Sequence, residues 1–193
     1  MRTRETVLLK RAQAYEEQAI AELYDHYAPR IYSYLYRRVH DAQLAEDLTS
    51  DVFVRVLQAL QSEQFWHTSF QAWLYRIAHN QVIDYYRQQA RQQEQMPQFP
   101  LEDQLEMTGV ENFIADPSAD VGAEHDARDA ANALEAALNQ LTTEQQQVLV
   151  LRFGEQMKIQ EVAVVMNKTN GAIEALQHRA LAALRRMLDP GKV

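Results

Sequence analysis

Apolar residues recur at every third or fourth position through most of the first ninety residues, the spacing of amphipathic helices. The pattern predicts helices over about 6–25, 28–40, 43–62 and 69–92. Pro29 fits the first turn of the second helix, where its missing N–H costs nothing. Asp41 suits an N-cap before the third, and Thr68 or Ser69 an N-cap before the fourth. In the fourth helix Phe70, Leu74, Ile77 and Gln81 fall on one side, while Arg76, Asn80, Ile83 and Arg87 share a narrow arc on another. Aromatics beside arginines suit a surface that stacks bases and neutralises phosphate. An aromatic core helix with a charged outer face explains the same stretch equally well.

The periodicity lapses from Met96 to Ala123, where Pro97, Pro100, Gly109, Pro117 and Gly122 interrupt the chain. Such a long irregular stretch reads as a linker between two domains, residues 1–95 and 124–193. Helix resumes at about 124 and runs to about 141. Thr142 or Thr143 then starts a helix carrying Val148, Leu149 and Leu151, which Gly154 ends. A short helix over Ile159–Met166, a turn at Asn167 and Lys168, and a last helix from Thr169 or Asn170 to Leu188 follow. This is the plan of a helix-turn-helix, though αα-hairpins of ordinary bundles share it. The expected fold is therefore all-α, with two small helical domains.

Composition narrows the function. The chain has 193 residues and no Cys, which excludes disulfide scaffolds and thiolate metal sites. No apolar run approaches the length of a membrane span and the N-terminus has no signal core, so a cytoplasmic protein is expected. The net charge is −8, but it is concentrated in the middle: −1 over residues 1–95, −9 over 96–140 and +2 over 141–193. Neither end is basic enough to hold DNA by charge alone, so a DNA-binding role needs a partner that supplies affinity.

The run Ala45-Glu-Asp-Leu-Thr-Ser-Asp-Val-Phe-Val-Arg-Val-Leu57, the stretch Phe70–Arg87, the acidic middle, and Gln160-Glu-Val-Ala163 with Gly171-Ala-Ile173 and Arg179-Ala180 form one combination. It resembles bacterial RNA polymerase sigma factors of the extracytoplasmic-function (ECF) type, over about 15–95 and 130–188. The resemblance implies two helical modules, region 2 and region 4, joined by a flexible linker that threads the polymerase cleft and exit channel. It implies that Asp47, Asp51 and Arg55, spaced four apart on one stripe, dock on a polymerase coiled coil. It also implies that Phe65, Trp66, His67 and Phe70 wall a pocket for a flipped base of the −10 element, with Arg76, Asn80 and Arg87 holding the freed strand. Trp73, Leu74 and Ile77 read as core, and Asp84 as a local structural hydrogen bond on the buried side. The last helix is expected in the major groove of the −35 element, with Lys168, Asn170, Glu174, Gln177, His178 and Arg179 as contacts. The chain departs from the family by Ser50 in place of a usual Gln, and by Ala172, Glu174 and Leu176 where Thr, Lys and Arg are common. The implied partners are core RNA polymerase, promoter DNA and an anti-sigma factor.

Enzyme readings find little. Glu22/His26, Glu63/His67 and Glu174/His178 have i, i+4 spacing, but they lie in separate elements and are better explained as chance pairs on helical surfaces. There is no Walker loop, nucleophile elbow or dinucleotide fingerprint. No catalytic residue, cofactor or metal is expected. The competing functions are a stand-alone helix-turn-helix regulator and a helical protein that sequesters a partner.

Overall fold

The computed structural model describes residues 2–61, 69–92 and 132–188, and all the regular structure in them is helical. The chain divides into two compact units, Met1–Gln95 and Met96–Val193. The expected linker at 96–123, the loop residues Phe65, Trp66 and His67, and the start of the helix foreseen from about 124 lie outside the described residues.

The first unit contains α1 (Arg2–Gln13), α2 (Glu17–Val39), α3 (Ala42–Gln61) and α4 (Phe70–Gln92). Helix α2 packs against each of the other three. Leu23, Ile31 and Leu35 of α2 meet Val52 and Val56 of α3 and Leu74, Tyr75 and Val82 of α4 in a core with almost no solvent exposure. Burial of this continuous apolar stripe is what stabilises helices of this length.

The helix boundaries near the N-terminus correct the sequence expectation. The break falls not at 25–28 but at Ala14–Glu16, and α2 runs unbroken through Pro29. Tyr15 takes a left-handed conformation (φ 59°). The Glu16 N–H bonds the Arg11 carbonyl and the Tyr15 N–H bonds that of Ala12, the two closures of a Schellman motif. No glycine marks the position, so the pattern could not show it. Arg11 and Glu16 add a side-chain ion pair across the turn, which raises the Arg11 pKa and lowers that of Glu16. Pro29 sits mid-helix on the exposed side, next to Ala28 and Ile31 of the core. An interior proline costs about 3 kcal/mol, and the burial of the opposite face outweighs it. Tyr15→Gly should stabilise the unit by about 0.5–1 kcal/mol, since glycine enters the left-handed region without a Cβ penalty. Urea denaturation would register it as a higher midpoint at unchanged slope.

Side-chain caps fix the other ends. Asp41 Oδ1 accepts from the Leu44 N–H at 3.0 Å, and Ser69 Oγ accepts from the Ala72 N–H at 3.2 Å. Both caps fall where the sequence put them. Inside, Arg38 is 1% exposed. Its Nη1 donates to His79 Nδ1 at 3.1 Å, and its guanidinium lies 4.3 Å from the Tyr34 ring centroid. Burial lowers the Arg38 pKa, and no carboxylate among the described residues pairs with it. Because arginine only donates, the ring proton of neutral His79 belongs on Nε2.

The second unit begins in the description with a helix over 132–139 (α5). It continues with α6 (Thr143–Leu149), a π turn (Val150–Gly154), α7 (Ile159–Met166) and α8 (Asn170–Leu188). Thr142 caps α6 in a capping box with Gln145. The buried Gln146 side chain donates to the Leu138 carbonyl at 2.8 Å and the Leu141 carbonyl at 3.2 Å, satisfying acceptors left open at the end of α5. The sequence expected α6 to run to Gly154. It stops at Leu149 instead, and the chain widens into the π turn, closed by the Glu155 N–H on the Val150 carbonyl at 3.0 Å. Asn167 (φ 52°) ends α7 in the left-handed region, and Thr169 Oγ1 caps α8 through the Ala172 N–H at 3.2 Å. Val162, Val165, Ile173, Leu176 and Ala180 close the core between α7 and α8.

Candidate polymerase and nucleic-acid interface

In the first unit the exposed sides of α3 and α4 carry most of the described candidate residues. On α3, Ala45, Leu48, Val52, Val56 and Leu60 turn inward, leaving Asp47, Ser50, Asp51 and Arg55 exposed. Val54 and Leu57 stand beside these charges at 51% and 42% exposure. The face is thus charged with an apolar centre, the composition of a protein contact surface. Asp47 has only a long contact from Gln43 Nε2 at 3.4 Å.

On α4, Arg76, Asn80 and Arg87 are exposed, while Leu74, Tyr75, Ala78 and Val82 are buried. Trp73 and Ile77, read as core, are half-buried. Two positions are corrected. Phe70, expected in the wall of a base pocket, is 1% exposed and packs edge-on against Tyr27 (5.3 Å between centroids) and beside Trp73 (5.9 Å). Its place at the first turn of α4 aims it inward with Leu74, so it is a core residue. Asp84, expected near the buried side, is exposed and lies 3.8 Å from Arg87 as an i, i+3 ion pair. An exposed pair of this kind holds Arg87 only weakly.

In the second unit Asn170, Glu174, His178 and Arg179 are exposed on α8. Lys168 is half-buried, with Nζ 2.5 Å from Glu144 Oε1, so part of its charge is already neutralised. Gln177 is half-buried and accepts from Arg152 Nε at 2.9 Å. Leu176 is 6% exposed and belongs to the core. A shallow groove along α8 is lined by Gln145, His178, Arg179, Arg185 and Arg186. The sequence reading missed Gln145 and Arg152; Arg152 precedes a phenylalanine and a glycine in a stretch that looked like a plain helix end. Among the described residues no group of three or more His, Asp or Glu side chains is placed to hold a metal ion. No helix among them is long and apolar enough to cross a membrane.

Two family models match the two units: Sigma-70 region 2 over residues 23–92 and Sigma-70 region 4 over residues 137–186. The RNA polymerase sigma factor YlaC of Bacillus subtilis is 30% identical over 174 residues, covering 90% of this chain and 94% of YlaC. The ECF RNA polymerase sigma factor BldN of Streptomyces coelicolor is 35% identical over 182 residues, 94% of this chain and 64% of BldN, so the chain spans about two-thirds of that relative's length. The solved structure of CnrH in complex with the cytosolic domain of CnrY shares the fold, with a TM-score of 0.60 at 22% identity over 96% of this chain and 97% of that one. The chain belongs to the RNA polymerase sigma factors, in the ECF group. It is therefore a promoter-recognition factor for transcription initiation.

Proposed function

We propose that the chain docks on core RNA polymerase through α3, with Asp47, Asp51 and Arg55 around Val54, and opens promoter DNA with α4. Residues 1–95 form the region 2 module, 96–123 the linker and 124–193 the region 4 module that reads the −35 element. Arg76, Asn80 and Arg87 meet the melted −10 strand, and the loop residues Phe65, Trp66 and His67 take the flipped base. Lys168, Asn170, Glu174, Gln177, His178 and Arg179 face the −35 major groove. The factor does no covalent chemistry and works in the cytoplasm with the polymerase. An anti-sigma factor holds it off the polymerase, as solved relatives such as RpoE with NepR are held.

The observation that carries this reading is the division of α4. One side supplies the core through Leu74, Tyr75 and Val82, and the other presents Arg76, Asn80 and Arg87 to solvent. These three types offer donors for phosphate, and asparagine also pairs with base edges. The weak net charge fits, because the polymerase supplies the rest of the grip on DNA. Asn80→Ala is expected to leave polymerase binding intact and to cost promoter opening about 1–3 kcal/mol, the worth of one base contact. Permanganate footprinting of the −10 thymines reads this directly, and unchanged reactivity would remove Asn80 from the interface.

A further inference from the structure

We propose that Arg152 is a positioning residue for the recognition helix: it holds Gln177 as a donor-only reader that selects guanine or thymine over adenine at one position of the −35 element. The inference rests on the assignment of α8 to that element. Arg152 lies in the π turn between α6 and α7 and is half-buried. Its Nη1 donates to the Met157 carbonyl, and its Nε donates to Gln177 Oε1 at 2.9 Å. One side chain thereby ties the turn, the start of α7 and the recognition helix together.

The consequence lies in the chemistry of the amide. A guanidinium has five donors and no acceptor, so the atom of Gln177 that faces it must be the oxygen. The opposite flip would set two donors against each other. Gln177 Nε2 is not among the buried side-chain atoms without a partner, and Gln177 makes no other hydrogen bond. The amide nitrogen is thus the group Gln177 has to offer. A free glutamine reads adenine with both halves, accepting from N6 and donating to N7. With Oε1 committed to a cation, only donation remains. Charge-assisted hydrogen bonds are about twice as strong as neutral ones, so the neutral N6 amino group does not displace the guanidinium. The bases that reward a lone donor in the major groove are guanine, through O6 and N7, and thymine, through O4. The neighbours do not offer a second route, since Ile173, Leu176 and Ala180 lock the inner side of α8 in the core.

The test is transcription by the full chain with core polymerase on a promoter library randomised across the −35 element. The wild type should show one position where guanine or thymine is favoured over adenine by about three- to tenfold, the worth of one hydrogen bond. Gln177→Glu keeps an acceptor facing Arg152 but removes the donors. It should melt like the wild type and lose the preference at that position alone. Arg152→Met frees the oxygen, and the same position should then admit adenine, an outcome that a merely structural arginine would not give. Two results overturn the proposal while leaving −35 reading in place. One is a wild-type preference for adenine at the position that Gln177→Glu alters. The other is a base profile left unchanged in both variants. A wild type indifferent to the −35 sequence overturns the assignment of α8 and this inference with it.

Discussion

A chain carrying Asp47→Lys and Asp51→Lys is expected to melt where the wild type melts and to fail to form holoenzyme. Both carboxylates are exposed on α3, and the helix is held by its other face through Ala45, Leu48, Val52 and Val56. Neither aspartate forms an ion pair among the described residues, and only Gln43 approaches Asp47, at 3.4 Å. Substitutions of this kind move stability by about ±0.5 kcal/mol. Binding is another matter. The proposed contact sets these charges around Val54 and Leu57, whose exposed apolar surface gives the partner something to bury. Reversing two rim charges sets like against like, a cost of several kcal/mol, and each 1.4 kcal/mol is about tenfold in affinity. Circular dichroism melts and the anisotropy of labelled protein titrated with core polymerase separate the two effects. Wild-type affinity in the double variant would move the docking surface elsewhere.

The all-α fold and the layout of the described helices were legible because burial on one side of a helix leaves a periodic trace. The caps at Asp41, Ser69 and Thr142 were legible for a chemical reason, since short oxygen-bearing side chains suit N-caps. What escaped was whatever the rules treat as exceptional. Tyr15 occupies a left-handed position that usually calls for glycine, so one break was invisible. Pro29 lies inside a helix because the opposite face is buried deeply enough to offset its cost, so a false break was read there. The π turn at Val150–Gly154 has no sequence signature at all, and Arg152 was overlooked with it. The candidate site divides in the same way. Exposure of Arg76, Asn80 and Arg87 follows from helical angle alone. The burial of Phe70 and the exposure of Asp84 depend on which neighbours pack at each end of α4, and a helical wheel does not contain that information.

Phe70 sharpens this distinction into an experiment, because the two roles predict opposite behaviour for a conservative change. As a core residue at 1% exposure against Tyr27, Phe70 should tolerate Phe70→Leu, which keeps most of the apolar volume, at about 1 kcal/mol. Phe70→Ala should cost about 3–5 kcal/mol through lost burial and the cavity left behind. For a unit of this size that is a fall in melting temperature of about 15–30 °C, enough to consume much of a typical stability of about 5–15 kcal/mol. Promoter opening should follow stability: retained in Phe70→Leu, and lost in Phe70→Ala only where the unit is unfolded. A base-stacking residue behaves otherwise. Leucine has no π face, so Phe70→Leu would then lose promoter opening while melting like the wild type. Thermal melts paired with permanganate reactivity of the −10 thymines, taken below the lowest melting temperature of the series, decide between the two. Opening in Phe70→Leu close to that of the wild type is the result expected from the packing around α4.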